Sequence, residues 1–250
     1  MKWLRRIFIV LILLVITAYL GISVTAFNRK DVDTACSDIR LVIKDSVNAG
    51  FITKREVTDL LSRKGVNPIG KLMQSINTEK LEKELAVNPL IDRVECYKTL
   101  SNKVCVEVYQ RIPVLRILPS AGEGYYIDNK GTVMPSDTKC AAHISVVTGR
   151  VDKAFATNEL YRFALFLQRN AFWNAQIAQI HVLSGRNIEL IPRVGNHILH
   201  LGQLADYENK LERTRRFYEQ ALNRVGWNKY SRINVEFSNQ IICTKREPLN

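Results

Sequence analysis

The stretch that most constrains this chain lies near its start. Residues 7–27, IFIVLILLVITAYLGISVTAF, carry no charged side chain. A helix of that length is roughly 31 Å long, about one bilayer core. Lys2, Arg5 and Arg6 precede the run, and Arg29, Lys30, Asp31 and Asp33 follow it. A cleaved signal peptide would find small residues at Val24-Thr25-Ala26, but its apolar region runs only about 7–15 residues. A lipoprotein anchor at Cys36 would need an aliphatic residue where Asp33 stands. An uncleaved anchor helix fits the length, and the short basic amino terminus favours N-in, C-out. The expectation is a cytoplasmic segment over 1–6, a transmembrane helix over 7–27, and the rest outside the cytoplasm.

Beyond a linker over 28–37, the pattern is strand, helix, helix, strand, strand. DIRLVIKD puts Ile39, Leu41 and Ile43 on one strand face. TKREVTDLLSRKG predicts a helix with a capping box, Thr53 at the N-cap and Glu56 at N3, closed by Gly65. INTEKLEKEL predicts a second helix, capped by Asn77, stapled by Ile76 and Leu81, and stopped at Asn88-Pro89. IDRVECYK and KVCVEVYQR alternate around a turn and predict a hairpin. Arg111-Ile112-Pro113 breaks its second strand.

The later half reads as mostly β with helices. Tyr126-Ile127, a turn at Asp128-Asn129-Lys130-Gly131, and Thr132-Val133-Met134 predict a strand, turn and return. HISVVTG is another strand, and TNELYRFALFLQRNAFW a helix with Leu160, Phe163, Ala164 and Leu167 on one face. QIAQIHVL, NIELIPR and HILHLG follow as strands, then the long helix DYENKLERTRRFYEQALNRV. RINVEFSNQIICTKR closes as a hairpin whose last strand would be a sheet edge. A two-residue Ser238-Asn239 turn would put Ile242 and Thr244 beside Val235 and Ile233; a loop one residue longer would put Ile241 and Cys243 there instead.

The formal net charge of +12 first suggests nucleic acid. The basic residues are scattered, however, with no long basic run and no interleaved aromatics, so the reading is a solvated surface beside anionic lipid and no nucleic-acid partner. The five cysteines form no C-x-x-C pair. If a tight turn centres on Leu100-Ser101, Cys96 and Cys105 lie directly opposite and could bridge; the other reading is two unpaired thiols facing a core. His197 and His200 sit in a β run and should point to opposite faces. No H-E-x-x-H, G-x-S-x-G or P-loop is present. Asp128 fits a turn residue bonded to its own backbone better than a catalytic acid. No catalytic, metal or cofactor site is expected.

The combination of FITKREVTDLL, INTEKLEKELAVNPLIDRVECYK, VEVYQRIPVLRI, GYYIDNKGTVMP, LIPRVGNHILHLG with YENKLERTRRFY, and RINVEFSNQIICTKR resembles the FtsQ/DivIB cell-division family, in a form close to its Bacteroidetes branch. The resemblance implies an α+β chain with a single transmembrane helix, a POTRA domain over 38–115, a mixed β domain with helices over 116–246, and a tail over 247–250. It implies a non-enzymatic scaffold in the inner membrane at the division septum, its bulk periplasmic, joining early and late division proteins. It also implies FtsB-like and FtsL-like partners, docked by β-augmentation at the final strand. The matching positions are Phe237, Asn239, Gln240, Ile241, Ile242, Cys243, Thr244 and Lys245, with Arg186 nearby; Lys245 stands where the family has an aromatic. A POTRA-containing outer-membrane assembly or secretion factor is the rival reading, and a membrane-anchored periplasmic enzyme a third. Rivals of the first kind carry several POTRA copies or a barrel, which residues 116–250 do not resemble.

Overall fold

The computed structural model describes residues 2–27, 34–44, 50–136 and 144–247. Residues 28–33 of the expected linker and 248–250 of the expected tail lie outside the described residues. Helix α1 (Lys2–Phe27) is continuous, as a proline-free apolar run should be. Residues 11–22 are exposed on every side, Leu14 at 65% and Tyr19 at 70% among them. Among the described residues no helix is long and apolar enough to cross a membrane; apart from Trp3, the described side chains of α1 lie within residues 11–23.

The next unit runs β1 (Asp38–Lys44), α2 (Lys54–Arg63), α3 (Thr78–Ala86), β2 (Ile91–Lys98) and β3 (Lys103–Gln110). Its three strands lie in the order β1-β3-β2, with β1 parallel and β2 antiparallel to β3. The helix ends follow local chemistry. Thr53 and Glu56 form the capping box in both directions. At the other end Gly65, at φ 65°, lets its own N–H reach Ser62 O and that of Val66 reach Leu61 O. Asn77 caps α3 by accepting from the Lys80 N–H at 2.9 Å. Val57 and Leu61 of α2 and Leu81 and Leu85 of α3 pack with Val104, Val106 and Val108 of β3 into one core. Burial of such side chains stabilises by about 1.5–3 kcal/mol each.

The hairpin register corrects one expectation. Cys96 lies opposite Val106, and Cys105 opposite Tyr97. The connection is one residue off the symmetric turn, so the two thiols project to opposite faces of the pleat. Both are free in this structure. Burial, then the Glu82 carboxylate, pushes the Cys96 thiol up to about 12, which keeps it protonated and unreactive.

The following unit adds β4 (Pro113–Pro119), β5 (Tyr125–Asp128), β6 (Val133–Pro135), β7 (Ser145–Gly149), α4 (Lys153–Phe155), α5 (Tyr161–Arg169), α6 (Ala171–Gln176), β8 (Ile177–Val182), β9 (Ile188–Pro192), β10 (Ile198–Gly202), α7 (Tyr207–Phe217), α8 (Asn223–Val225), β11 (Tyr230–Asn234) and β12 (Ile242–Lys245). Its nine strands lie in the order β12-β11-β10-β9-β8-β7-β4-β5-β6. Phe163 and Leu167 of α5, Trp173 of α6 and Leu211 of α7 pack with Leu115, Val147, Ile180, Leu190, Leu199 and Ile233 of the strands in one core. The expected helix through Trp173 is two helices: it breaks at Asn170, whose side chain turns to cap α6 through the Trp173 N–H.

The two units meet at a tight junction. Met134 and Tyr126 belong to the core of the first unit, and Phe51 meets Tyr126 edge-on at 5.5 Å. Asp128 is fully buried. It accepts from the N–H groups of Lys130 and Thr132 and from the Arg111 guanidinium at 2.6 Å. Lys130 in turn reaches Asp92 at 2.7 Å.

Candidate functional site

Strand β12 is the outer strand on one side of the nine-stranded sheet. It pairs with β11 in the register Ile233 to Cys243 and Asn234 to Ile242. This selects the second of the two hairpin readings: Ile241 and Cys243 share the face of Ile233 and pack against the core. Ile242, at 46% exposure, Thr244 and Lys245 are open to solvent. The connection is longer than either expectation, because β11 ends at Asn234 and residues 235–241 leave the ladder. The Val235 N–H bonds to His200 O, the Asn234 carboxamide accepts from the Glu236 N–H, and the Arg213 guanidinium binds Val235 O at 3.1 Å and also Ser238 O.

Among the described residues, the backbone of β12 is held from one side only. Arg246 N–H donates to Lys229 O at 3.0 Å, and the Ser231 hydroxyl reaches Thr244 O at 3.4 Å. Backbone groups alternate along an antiparallel strand. Those of Ile242 and Thr244 therefore face β11, while the N–H and C=O of Cys243 and Lys245 face outward. The Arg246 side chain pins the strand's end to Asn228 O and Asn196 O. In contrast, the outer edge of β2 is plugged: the Glu82 carboxylate accepts from the Cys96 N–H at 2.7 Å, one of the ways folds blunt an edge.

Beside β12 runs an open groove of about 350 Å³ between α7 and the connection, lined by Arg213, Arg216, Phe217, Gln220, Ser238, Asn239, Gln240 and Ile241. Phe237 stands exposed at 44% on the same connection. The fold thus gathers Phe237, Asn239, Gln240 and Ile241–Lys245 into one edge-and-groove surface with apolar, amide and cationic lining. Arg186 stands apart from it. Its turn lies on the same rim, yet β9, β10 and β11 intervene, placing it roughly 17 Å along the sheet from β12. Its guanidinium pairs with Asp152 and Glu159, both at 3.2 Å, over the Phe155 ring. The Phe155 N–H, followed by Arg186, holds the Asp152 carboxyl below its usual range.

Three features of this region escape a reading by periodicity. Arg213 lies in a charged helix face with nothing local to mark it as the clasp of the connection. Lys210 is buried, its ammonium bound to Leu201 O at 3.1 Å and Gln203 O at 3.0 Å. On the open sheet face, Arg232 meets Glu189 at 2.5 Å and His200 at 2.9 Å, with Glu236 at 3.5 Å from His200. Among the described residues no cluster of three or more His, Cys, Asp or Glu could hold a metal.

A family model described as FtsQ/DivIB, C-terminal related, matches residues 112–244, the whole of the nine-stranded unit up to β12. The chain belongs to the FtsQ/DivIB family. A POTRA-like domain model matches residues 34–109, the unit before it. A cell division protein FtsQ from Geotalea daltonii is 26% identical over 206 residues, covering 78% of this chain and 71% of that protein. FtsQ/DivIB membership carries a role in cell division. Between the two matched regions sits Arg111, the residue that reaches the buried Asp128 across the junction.

Proposed function

We propose that this FtsQ/DivIB-family chain is a non-enzymatic divisome scaffold at the division septum. In this reading α1 spans the inner membrane once, with residues 1–6 cytoplasmic, and the POTRA unit over 38–115 and β domain over 116–246 lie in the periplasm. The β12 edge takes an extended segment of an FtsB-like protein, itself paired with an FtsL-like one, as an added strand. The observation that carries this reading is the outward-facing backbone of Cys243 and Lys245, on an edge that no described residue covers. Main-chain bonds there supply affinity, and the groove along residues 238–241, with Phe237 exposed beside it, supplies side-chain selection. The continuous α1, apolar on all its described faces, supports the anchor.

Proline decides whether the backbone carries binding, because it removes one donor and is tolerated where that donor faces away from the sheet. Cys243→Pro deletes an outward N–H and should leave the domain folded while weakening capture of an FtsB–FtsL-like pair by about tenfold or more. Thr244→Pro deletes an inward N–H and should instead destabilise the β11–β12 hairpin. Unchanged affinity in a folded Cys243→Pro chain would refute β-augmentation.

A further inference from the structure

We propose that one end of the POTRA-like unit rests on the membrane surface, its apolar turn tips in the bilayer interface and its lysines on anionic lipid headgroups. The proposal depends on reading α1 as the membrane anchor.

The chain enters this unit through residues 34–37, clamped between two turns. On one side Cys36 N–H bonds Lys71 O at 2.8 Å, Gly70 N–H bonds Cys36 O at 2.9 Å, and Met73 N–H bonds Thr34 O at 3.0 Å. On the other, Ser37 N–H bonds Asn102 O at 2.9 Å and the Thr34 hydroxyl bonds the Asn102 side chain at 2.9 Å. Both turns carry apolar side chains into solvent. Ile69 and Leu72 are 49% and 46% exposed, and Leu100, at the tip of the β2–β3 turn, is 100% exposed. That turn is made by Leu100, Ser101 and Asn102, the last at φ 55°, and nothing in its geometry calls for leucine at its first position. Lys71 and Lys98 are exposed around the tips, the Lys71 ammonium donating to Gly65 O at 3.2 Å, and Lys103 is paired with Asp38 at 3.6 Å.

Distance makes the bilayer the fitting occupant. Phe27 ends α1 and Thr34 begins the clamp, so the intervening chain reaches at most about 25 Å even when fully extended. The clamped end is therefore the part of the unit held nearest the lipid. Leucine at the interface with lysine reaching the headgroups is the chemistry of an interfacial segment. Tethering by the anchor makes the contact intramolecular, so a small apolar area suffices.

The test uses the full chain in phosphatidylcholine–phosphatidylglycerol vesicles, with the acyl chains either plain or brominated as fluorescence quenchers. Leu100→Trp places a reporter at the tip, and Val87→Trp, at the opposite end of β2 and 68% exposed in the parent, is the control. Trp3 reports on α1, read as the difference between the parent and Trp3→Phe. The added emission of Leu100→Trp should fall by roughly half or more in brominated vesicles, as for an interfacial depth of about 5–10 Å, while that of Val87→Trp stays. An unquenched Leu100→Trp with the Trp3 contribution still quenched overturns the proposal and leaves the anchor standing. Equal quenching at both positions also overturns it, since no end is then preferred. A chain that fails to float with the vesicles and shows no Trp3 quenching overturns the anchor reading and this proposal together.

Discussion

Asp128 organises a junction from a single position. Buried and bound to two backbone N–H groups and Arg111, it holds the β5–β6 turn against the start of β4. Asp128→Ala leaves the part-buried Arg111 without its partner and should cost about 3–5 kcal/mol, measured by chemical denaturation. The turn role of Asp128 was legible from Asp-Asn-Lys-Gly; its partner was not, because Arg111 lies on the far side of β4 and nothing local links them. His197 is a second case. It is buried, with Nε2 against the Tyr218 hydroxyl at 2.7 Å and no partner for Nδ1 among the described residues. Burial, then Arg246, holds its pKa below the usual 6.5. The unfolded chain therefore takes up a proton that the folded chain resists. This part of the stability is whole above pH 6.5 and is lost as pH falls from there through the folded pKa. Denaturation midpoints between about pH 7.5 and 5.5 should fall, and His197→Gln should flatten that slope.

Among the elements, the helices of the POTRA-like unit were legible down to their caps. The Thr53–Glu56 box, Asn77 and Gly65 each act within a few residues of themselves, so spacing reveals them. The last hairpin was legible as an edge but not in its connection. Residues 235–241 are shaped by His200 of β10 and Arg213 of α7, contacts that alternation along β11 cannot report. The cysteine register failed for a related reason: a one-residue change in the β2–β3 turn moves every side chain to the other face. Arg213→Ala should free Val235 O and Ser238 O, cost about 1.5–3 kcal/mol by denaturation, and loosen the groove wall beside β12.

At the scale of the molecule, the first unit's succession of strand, helix, helix, strand, strand and the helices of the larger unit follow from alternating and 3–4 patterns. The nine-strand order does not, since parallel pairs such as β4–β7 and β10–β11 join segments far apart in sequence. Of the outer strands, β2 is plugged by Glu82, whereas β12 is open among the described residues, with a groove beside it. In the proposed role, a division partner completes the sheet at that open edge. Hydrogen exchange of the full chain, alone and with the FtsB–FtsL-like pair, tests it most directly. The Cys243 and Lys245 amides should exchange fast in the free chain and become protected on binding, while those of Ile242 and Thr244 are protected in both states. A bound partner that leaves the Cys243 and Lys245 amides exchanging as before would contradict it.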